Sequence, residues 1–266
     1  GTGGAFVKII DLPAESLAFF RCFLPLAILG VIFIVQKHSP FHGNVKLMMG
    51  ASAMNAVRIY LFALAFLLAP ISQAVILLYS WPVFAAFYAI VFLKENTSWK
   101  KISLLGIAFA GILIMFAGHD FSPDSDAVLG LGAMLLHSMI YAGTVVMFKK
   151  EIQNYSQWET IFYQCLIGAV VFAPFILINT PPPTFEQIGL SSIYGGLLGL
   201  GSFGLFFAAM KKLDTATISI LSYTEALVMV VVGVLFFSEP ITLYLVCGAL
   251  MIFTAAFILT RYKDKL

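Results

Sequence analysis

A chain of 266 residues that is 61% hydrophobic and 11% charged holds more apolar side chains than a soluble core of that length can hide. Lipid is therefore its solvent, and the length suits about ten spans of roughly 20 residues with short links. A net charge of +2 gives no electrostatic footprint for nucleic acid, and Cys22, Cys165 and Cys247 lie in apolar runs without metal-ligand spacing, as small fillers.

In chain order the apolar runs predict helices near 1–11, 14–35, 47–69, 71–93, 102–118, 127–148, 160–178, 187–210, 213–237 and 241–260. Proline marks the links, as in Ala69-Pro70, Ser122-Pro123-Asp124, Thr180-Pro181-Pro182-Pro183 and Glu239-Pro240. Exposed strands are excluded, because hydrocarbon leaves an open backbone edge unsatisfied. The first run stops at Asp11-Leu12-Pro13, whereas its counterpart at 128–148 is full length. Roughly ten residues of the first helix are therefore expected to be missing from the sequence.

The two halves echo each other. Phe19-Phe20-Arg21-Cys22 returns as Phe162-Tyr163-Gln164-Cys165, and the block from Tyr79 to Leu93-Lys94-Glu95 returns as Tyr223 to Phe237-Ser238-Glu239. Each half holds five spans, and an odd number forces the second copy to enter the membrane the other way round. The expected fold is all-α and polytopic, with ten transmembrane helices in two inverted five-helix repeats, 1–121 and 122–266. Alternate loops carry Lys37, Lys46, Lys94, Lys100, Lys101, Lys149, Lys150, Lys211, Lys212, Arg261, Lys263 and Lys265, twelve of the fifteen basic residues. The opposite loops carry Asp11, Glu15, Asp120, Asp124, Asp126, Glu186 and Glu239. Both termini are thus expected on the cytoplasmic side of a bacterial inner membrane.

Polar residues at mid-depth are costly in lipid and point to function. Arg58, Glu225 and His137 fall near the centres of their spans, and Trp81 precedes Pro82 at the centre of another. The repeat offset pairs Arg58 with Ser202, Trp81 with Glu225 and Tyr79 with Tyr223, so all six are expected around one cavity. Arg58 offers a fork for a carboxylate or phosphate; the structural alternative is a fixed ion pair with Glu225. Asn55 extends the donor set from one turn earlier, or bonds a neighbouring helix. Glu225 and His137 are the candidate proton carriers, the second of them alternatively a satisfied structural donor. Tyr141 and Thr144 share the face of His137. Pro82 is expected to kink its helix and free a carbonyl toward the cavity, with Trp81 as a flat wall. Arg21, nearer the outer end of its helix, reads as a snorkelling structural residue.

Other patterns fail on context. Gly199-x-Gly201-x-x-Gly204 follows no strand; Gly195, Gly196, Gly199 and Ser202 instead suit close approach of another helix. His38-x-x-x-His42 is broken by Pro40, and no metal is expected there. An intramembrane serine hydrolase using Ser202 and His137 lacks the sequence around a nucleophile elbow. A non-transporting scaffold whose polar groups merely tie helices is a further alternative.

The doubled Phe19-Phe20-Arg21, the Ser72-x-Ala74 to Trp81-Pro82-Val83-Phe84 run ending in Leu93-Lys94-Glu95, and the closing run from Glu225 to Glu239-Pro240 together resemble the EamA-type drug/metabolite transporters. Where that family usually reads Glu-Pro, this chain has Glu225-Ala226, so a kink in the ninth helix is less expected. The resemblance implies a ten-helix carrier with a central cavity, for amino acids and other metabolites or for nucleotide-like and methyl-donor compounds. One cation, one acid, one imidazole and several rings favour an amino acid or an aromatic, amino-acid-like molecule, moved by alternating access with possible proton coupling. The uptake of a nucleotide-like or methyl-donor metabolite is the alternative. The partners expected are a small-molecule substrate and lipid, with a homodimer as an open alternative; no cofactor is expected.

Overall fold

The computed structural model describes residues 3–115, 117, 125–178, 182–228 and 242–261, and every regular element among them is helical. Hydrocarbon explains why: only a helix satisfies its own backbone within one segment. The helices are α1 (Gly3–Ile10), α2 (Ala14–Val35), α3 (Val45–Leu68), α4 (Ile71–Leu78), α5 (Trp81–Tyr88), α6 (Trp99–Met115), α7 (Ser125–Glu151), α8 (Gln157–Ile178), α9 (Phe185–Tyr194), α10 (Phe203–Met210), α11 (Thr215–Ser222) and α12 (Leu243–Arg261). Wider π turns at Ala89–Leu93 and Gly195–Ser202 extend α5 and join α9 to α10. Among the described residues, seven stretches are long and apolar enough to cross a membrane: Ala14–Val35, Val45–Leu68, Gln73–Leu93, Ser125–Glu151, Gln157–Ile178, Phe185–Met210 and Leu243–Arg261. The other three predicted spans correspond to α1, of 8 residues, to α6, of 17, and to α11, whose continuation is described only to 228. The remainder of the ninth predicted span, the Glu239-Pro240 turn, Asp120, Asp124, Lys263, Lys265 and both termini lie outside the described residues.

Polar residues set the helix starts. Asn44 accepts from Leu47 N at 3.2 Å, Asp214 accepts from Thr217 N at 2.9 Å, and Thr184 with Gln187 makes a reciprocal capping box. Prolines are not confined to helix ends, since Pro25 and Pro174 lie inside α2 and α8. Lipid-embedded helices accept them because packed neighbours re-satisfy the freed groups.

The break at Pro82 shows how. The helix stops at Tyr79–Ser80 and restarts as α5 with Pro82 in its first turn, as the sequence leads one to expect. The carbonyls released are not turned to a cavity. Ser138 Oγ on α7 donates to Leu77 O at 2.8 Å and Leu78 O at 3.1 Å, and Ser80 Oγ donates to Leu77 O at 2.6 Å. A bare carbonyl in an apolar interior costs more than two hydroxyls taken from solvent. The second half breaks at the equivalent place without a proline: α11 ends at Ser222, Tyr223 is a turn, and helix resumes over 224–228.

Repeat-related helices pack in opposite senses. Gly168 abuts Cys22, and Phe33 meets Phe162 at 5.6 Å, so α2 and α8 run antiparallel. Gly111 abuts Gly248 and Ile252, with Met115 against Gly248, which sets α6 antiparallel to α12. The glycines at Gly195 and Gly199 admit α2: an added Cβ would lie 2.7 Å from Phe20 O and 2.4 Å from Pro25 Cγ.

The basic loops meet at one end. Lys101 Nζ bonds Asp214 Oδ2 at 2.9 Å, Glu95 accepts from Thr215 N and Oγ1 at 2.9 Å each, and Lys149 Nζ donates to Met210 O and Leu213 O at 2.5 Å each. At the other end Gln187 Nε2 donates to Ile10 O at 3.1 Å.

Candidate functional site

Two guanidiniums converge between the halves. Arg58, 3% exposed on α3, has its Cζ 4.1 Å from the centroid of Tyr141 and 5.6 Å from that of Phe203. Arg21, 8% exposed on α2, lies 5.4 Å from the centroid of the same Phe203 and 5.5 Å from that of Tyr194, with Nη1 3.5 Å from Tyr194 Oη. Rings attract these cations through their faces but do not neutralise them. Among the described residues no salt bridge joins either guanidinium to a carboxylate. Nε and Nη2 of Arg58 are buried without a hydrogen-bond partner. A buried charge left so is costly by several kcal/mol, and an anion between the two guanidiniums would offset that cost.

The surrounding wall is aromatic. Trp81, at the start of α5, meets Tyr141 at 4.5 Å and Phe206 at 6.2 Å, and His137 meets Tyr141 at 5.9 Å. The break before α5 puts Trp81 there, and the Gly195–Ser202 π segment carries Phe203 to the two arginines.

The nine residues singled out from sequence separate into groups. Arg58, Trp81, His137 and Tyr141 form one contact set. His137 is spoken for: Nδ1–H donates to the Arg58 carbonyl at 2.7 Å. Asn55 turns to α8, donating to Gln164 O at 2.5 Å and accepting from Gln164 Nε2 at 3.4 Å, so it ties helices and does not extend the Arg58 donor set. Tyr79 and Tyr223 face each other across the halves at 6.1 Å, and the buried Tyr223 hydroxyl has no hydrogen-bond partner. Glu225 is exposed and acts electrostatically on Tyr79 and Tyr141. Among the described residues no ion pair joins it to Arg58, because Arg58 is enclosed by rings. Ser202 is exposed, and among the described residues no hydrogen bond joins it to His137. The serine–histidine dyad is therefore not assembled. Arg21, set aside in the sequence reading as a snorkelling structural residue, is buried beside Arg58, and Tyr194 and Phe203, which pack against it, were not singled out. The signal was present: Arg21 stands where the second copy has Gln164, so both copies carry a polar group at one register.

The EamA-like transporter family model matches residues 1–117 and 128–261. Among curated proteins, the chain is 24% identical to the S-adenosylmethionine uptake transporter of Rickettsia prowazekii, over 96% of this chain and 85% of that one. It is 25% identical to the uncharacterized transporter YxxF of Bacillus subtilis, over 100% and 87%, and 24% identical to the pseudopaline exporter CntI of Pseudomonas aeruginosa, over 95% and 88%. A solved crystal structure superimposes with a TM-score of 0.78 at 15% identity, covering 99% of this chain and 96% of the other.

Proposed function

The chain belongs to the EamA-like transporter family, a multi-pass membrane transporter by its helices and its relatives, and on that premise we propose that it carries a carboxylate-bearing methyl donor of the S-adenosylmethionine type. The observation that carries the reading is the buried, unpartnered Arg58 fork beside Arg21. S-adenosylmethionine offers what such a pocket takes: a carboxylate for the guanidiniums, an adenine ring for the faces of Trp81, Tyr141 and Phe203, and cationic sulfonium and ammonium groups for Glu225. The rickettsial relatives named for uptake of that compound support this cargo over the plain amino acid favoured by composition. So does the extent of aromatic wall, which a small amino acid leaves idle.

Movement is by alternating access between inverted halves, 1–121 and 122–266. Supporting this are the antiparallel pairs α2–α8 and α6–α12 and the matched helix breaks at Tyr79 and Tyr223. Proton coupling is assigned to Glu225, which is exposed, whereas His137 is buried beside the Arg58 guanidinium-bearing helix and away from water. The membrane is a bacterial inner membrane, with the basic loops and both termini cytoplasmic.

The test is uptake by the purified chain in liposomes. Labelled S-adenosylmethionine is expected to accumulate, with S-adenosylhomocysteine competing and free methionine not. Accumulation of methionine with none of the adenosyl compound returns the assignment to amino acids.

A further inference from the structure

We propose that His38, His42 and Glu159 form a binding site for a zinc-like divalent transition-metal ion at the basic end of the bundle, joining the α2–α3 loop to α8. The proposal does not depend on the cargo.

The geometry is that of three converging donors. His38 Nε2 lies 2.9 Å and His42 Nε2 2.5 Å from the same oxygen, Glu159 Oε1. One ligating atom from each residue falls within 4.8 Å of the others. Zinc sits about 2.0–2.2 Å from such N and O donors, so tetrahedral ligands stand roughly 3.3 Å apart. Opening the cluster by less than about 1 Å thus makes room for the ion. Two imidazoles and one carboxylate, with a fourth position open to solvent, is a donor set that zinc accepts and magnesium does not. The Glu159 side chain is 5% exposed, while the His38 and His42 side chains are 46% and 43% exposed. The carboxylate is the fixed base of the site and the imidazoles are its mouth.

What surrounds these donors holds them in place. Glu159 Oε2 accepts from Ser156 N at 2.7 Å, orienting the carboxylate from behind. The His42 ring stacks on Tyr155 at 4.7 Å and 17°, and His38 packs edge-on against Phe33 at 5.5 Å. The loop backbone is pinned from the second half, since Tyr155 Oη donates to His42 O and Tyr163 Oη donates to Pro40 O at 3.2 Å. Gly43, at φ +62°, allows the turn that brings His42 down to α8; a Cβ there would lie 3.1 Å from Tyr155 Oη. Pro40, which rules out a helical His-x-x-x-His ligand pair, is thus part of a loop that reaches the same convergence by another route.

The experiment uses the full chain without a histidine tag, in detergent, stripped with a chelator and titrated with cobalt(II) as a coloured stand-in for zinc, no substrate present. The expected result is one cobalt per chain, with the visible absorption of a low-coordinate ion, displaced by zinc and not by magnesium. His38→Ala combined with His42→Ala is expected to abolish the signal, and Glu159→Gln, which removes a direct ionised ligand, to weaken binding by more than the roughly 10- to 100-fold that loss of an outer-shell partner costs. If the double variant does not fold, His38→Gln alone serves, and it too must lose the coloured complex. Wild-type protein that takes up no cobalt, or an equal signal in wild type and Glu159→Gln, overturns the site.

Discussion

Among the described residues, Nε and Nη2 of Arg58 are buried without a hydrogen-bond partner. Charge-assisted hydrogen bonds contribute about 1.5–3 kcal/mol, so Arg58→Ala is expected to cut uptake at low substrate by at least about tenfold. Arg58→Lys keeps the charge but loses the planar fork, and is expected to fall between the two. Flux equal to wild type in Arg58→Ala removes the residue from the site. Arg21→Gln, which installs the residue of the second copy, should weaken cargo affinity while the protein still folds. His137→Gln retains an N–H for the Arg58 carbonyl and should leave the pH profile of uptake unchanged, whereas Glu225→Gln should flatten it. A profile that moves with His137 instead would reassign the proton. At this scale the contact set of Arg58, Trp81, His137 and Tyr141 was legible because three of them are anomalous at mid-span and Tyr141 shares the face of His137. The burial of Arg21 against Tyr194 and Phe203 was not legible, because distance along one helix does not show which other helix approaches it. The glycines of the α9–α10 junction, which admit α2, decide that.

Helix breaks determine where the rings and cations come to rest. Ser138 covers Leu78 O and shares Leu77 O with the hydroxyl and backbone N–H of Ser80. Ser138→Ala is therefore expected to destabilise the chain by about 1–3 kcal/mol, the cost of an unsatisfied buried acceptor, read as a lower thermal midpoint in detergent. Gly199→Leu pushes directly on Pro25 and should cost about 1–3 kcal/mol as overpacking; Gly201→Ala, where a Cβ meets nothing within 4 Å, makes the matched control. The first break was readable from Pro82. The second, at Tyr223, was not, because no residue type there forbids a continuous helix. The two breaks meet, with the Tyr223 ring 6.1 Å from that of Tyr79, a tertiary contact that local sequence does not encode.

The molecule as a whole was the most readable level: an apolar composition, an internal echo and alternating loop charge pointed to a helical carrier before any contact was considered. What those patterns omit is how the loops interlock. Single cysteines scanned with a water-borne thiol reagent should label positions 202 and 225 in preference to 55 and 137, following their exposure. The reverse pattern would mean a different resting conformation. Lys149 closes one such joint from α7. Its ammonium is seated on the final carbonyls of α10 and its following turn, like a peg through two staves. Drawing the peg strands carbonyls that no further helical turn satisfies, so Lys149→Gln should soften that end of the bundle and lower the thermal midpoint in detergent, with half-saturation by cargo left where it was.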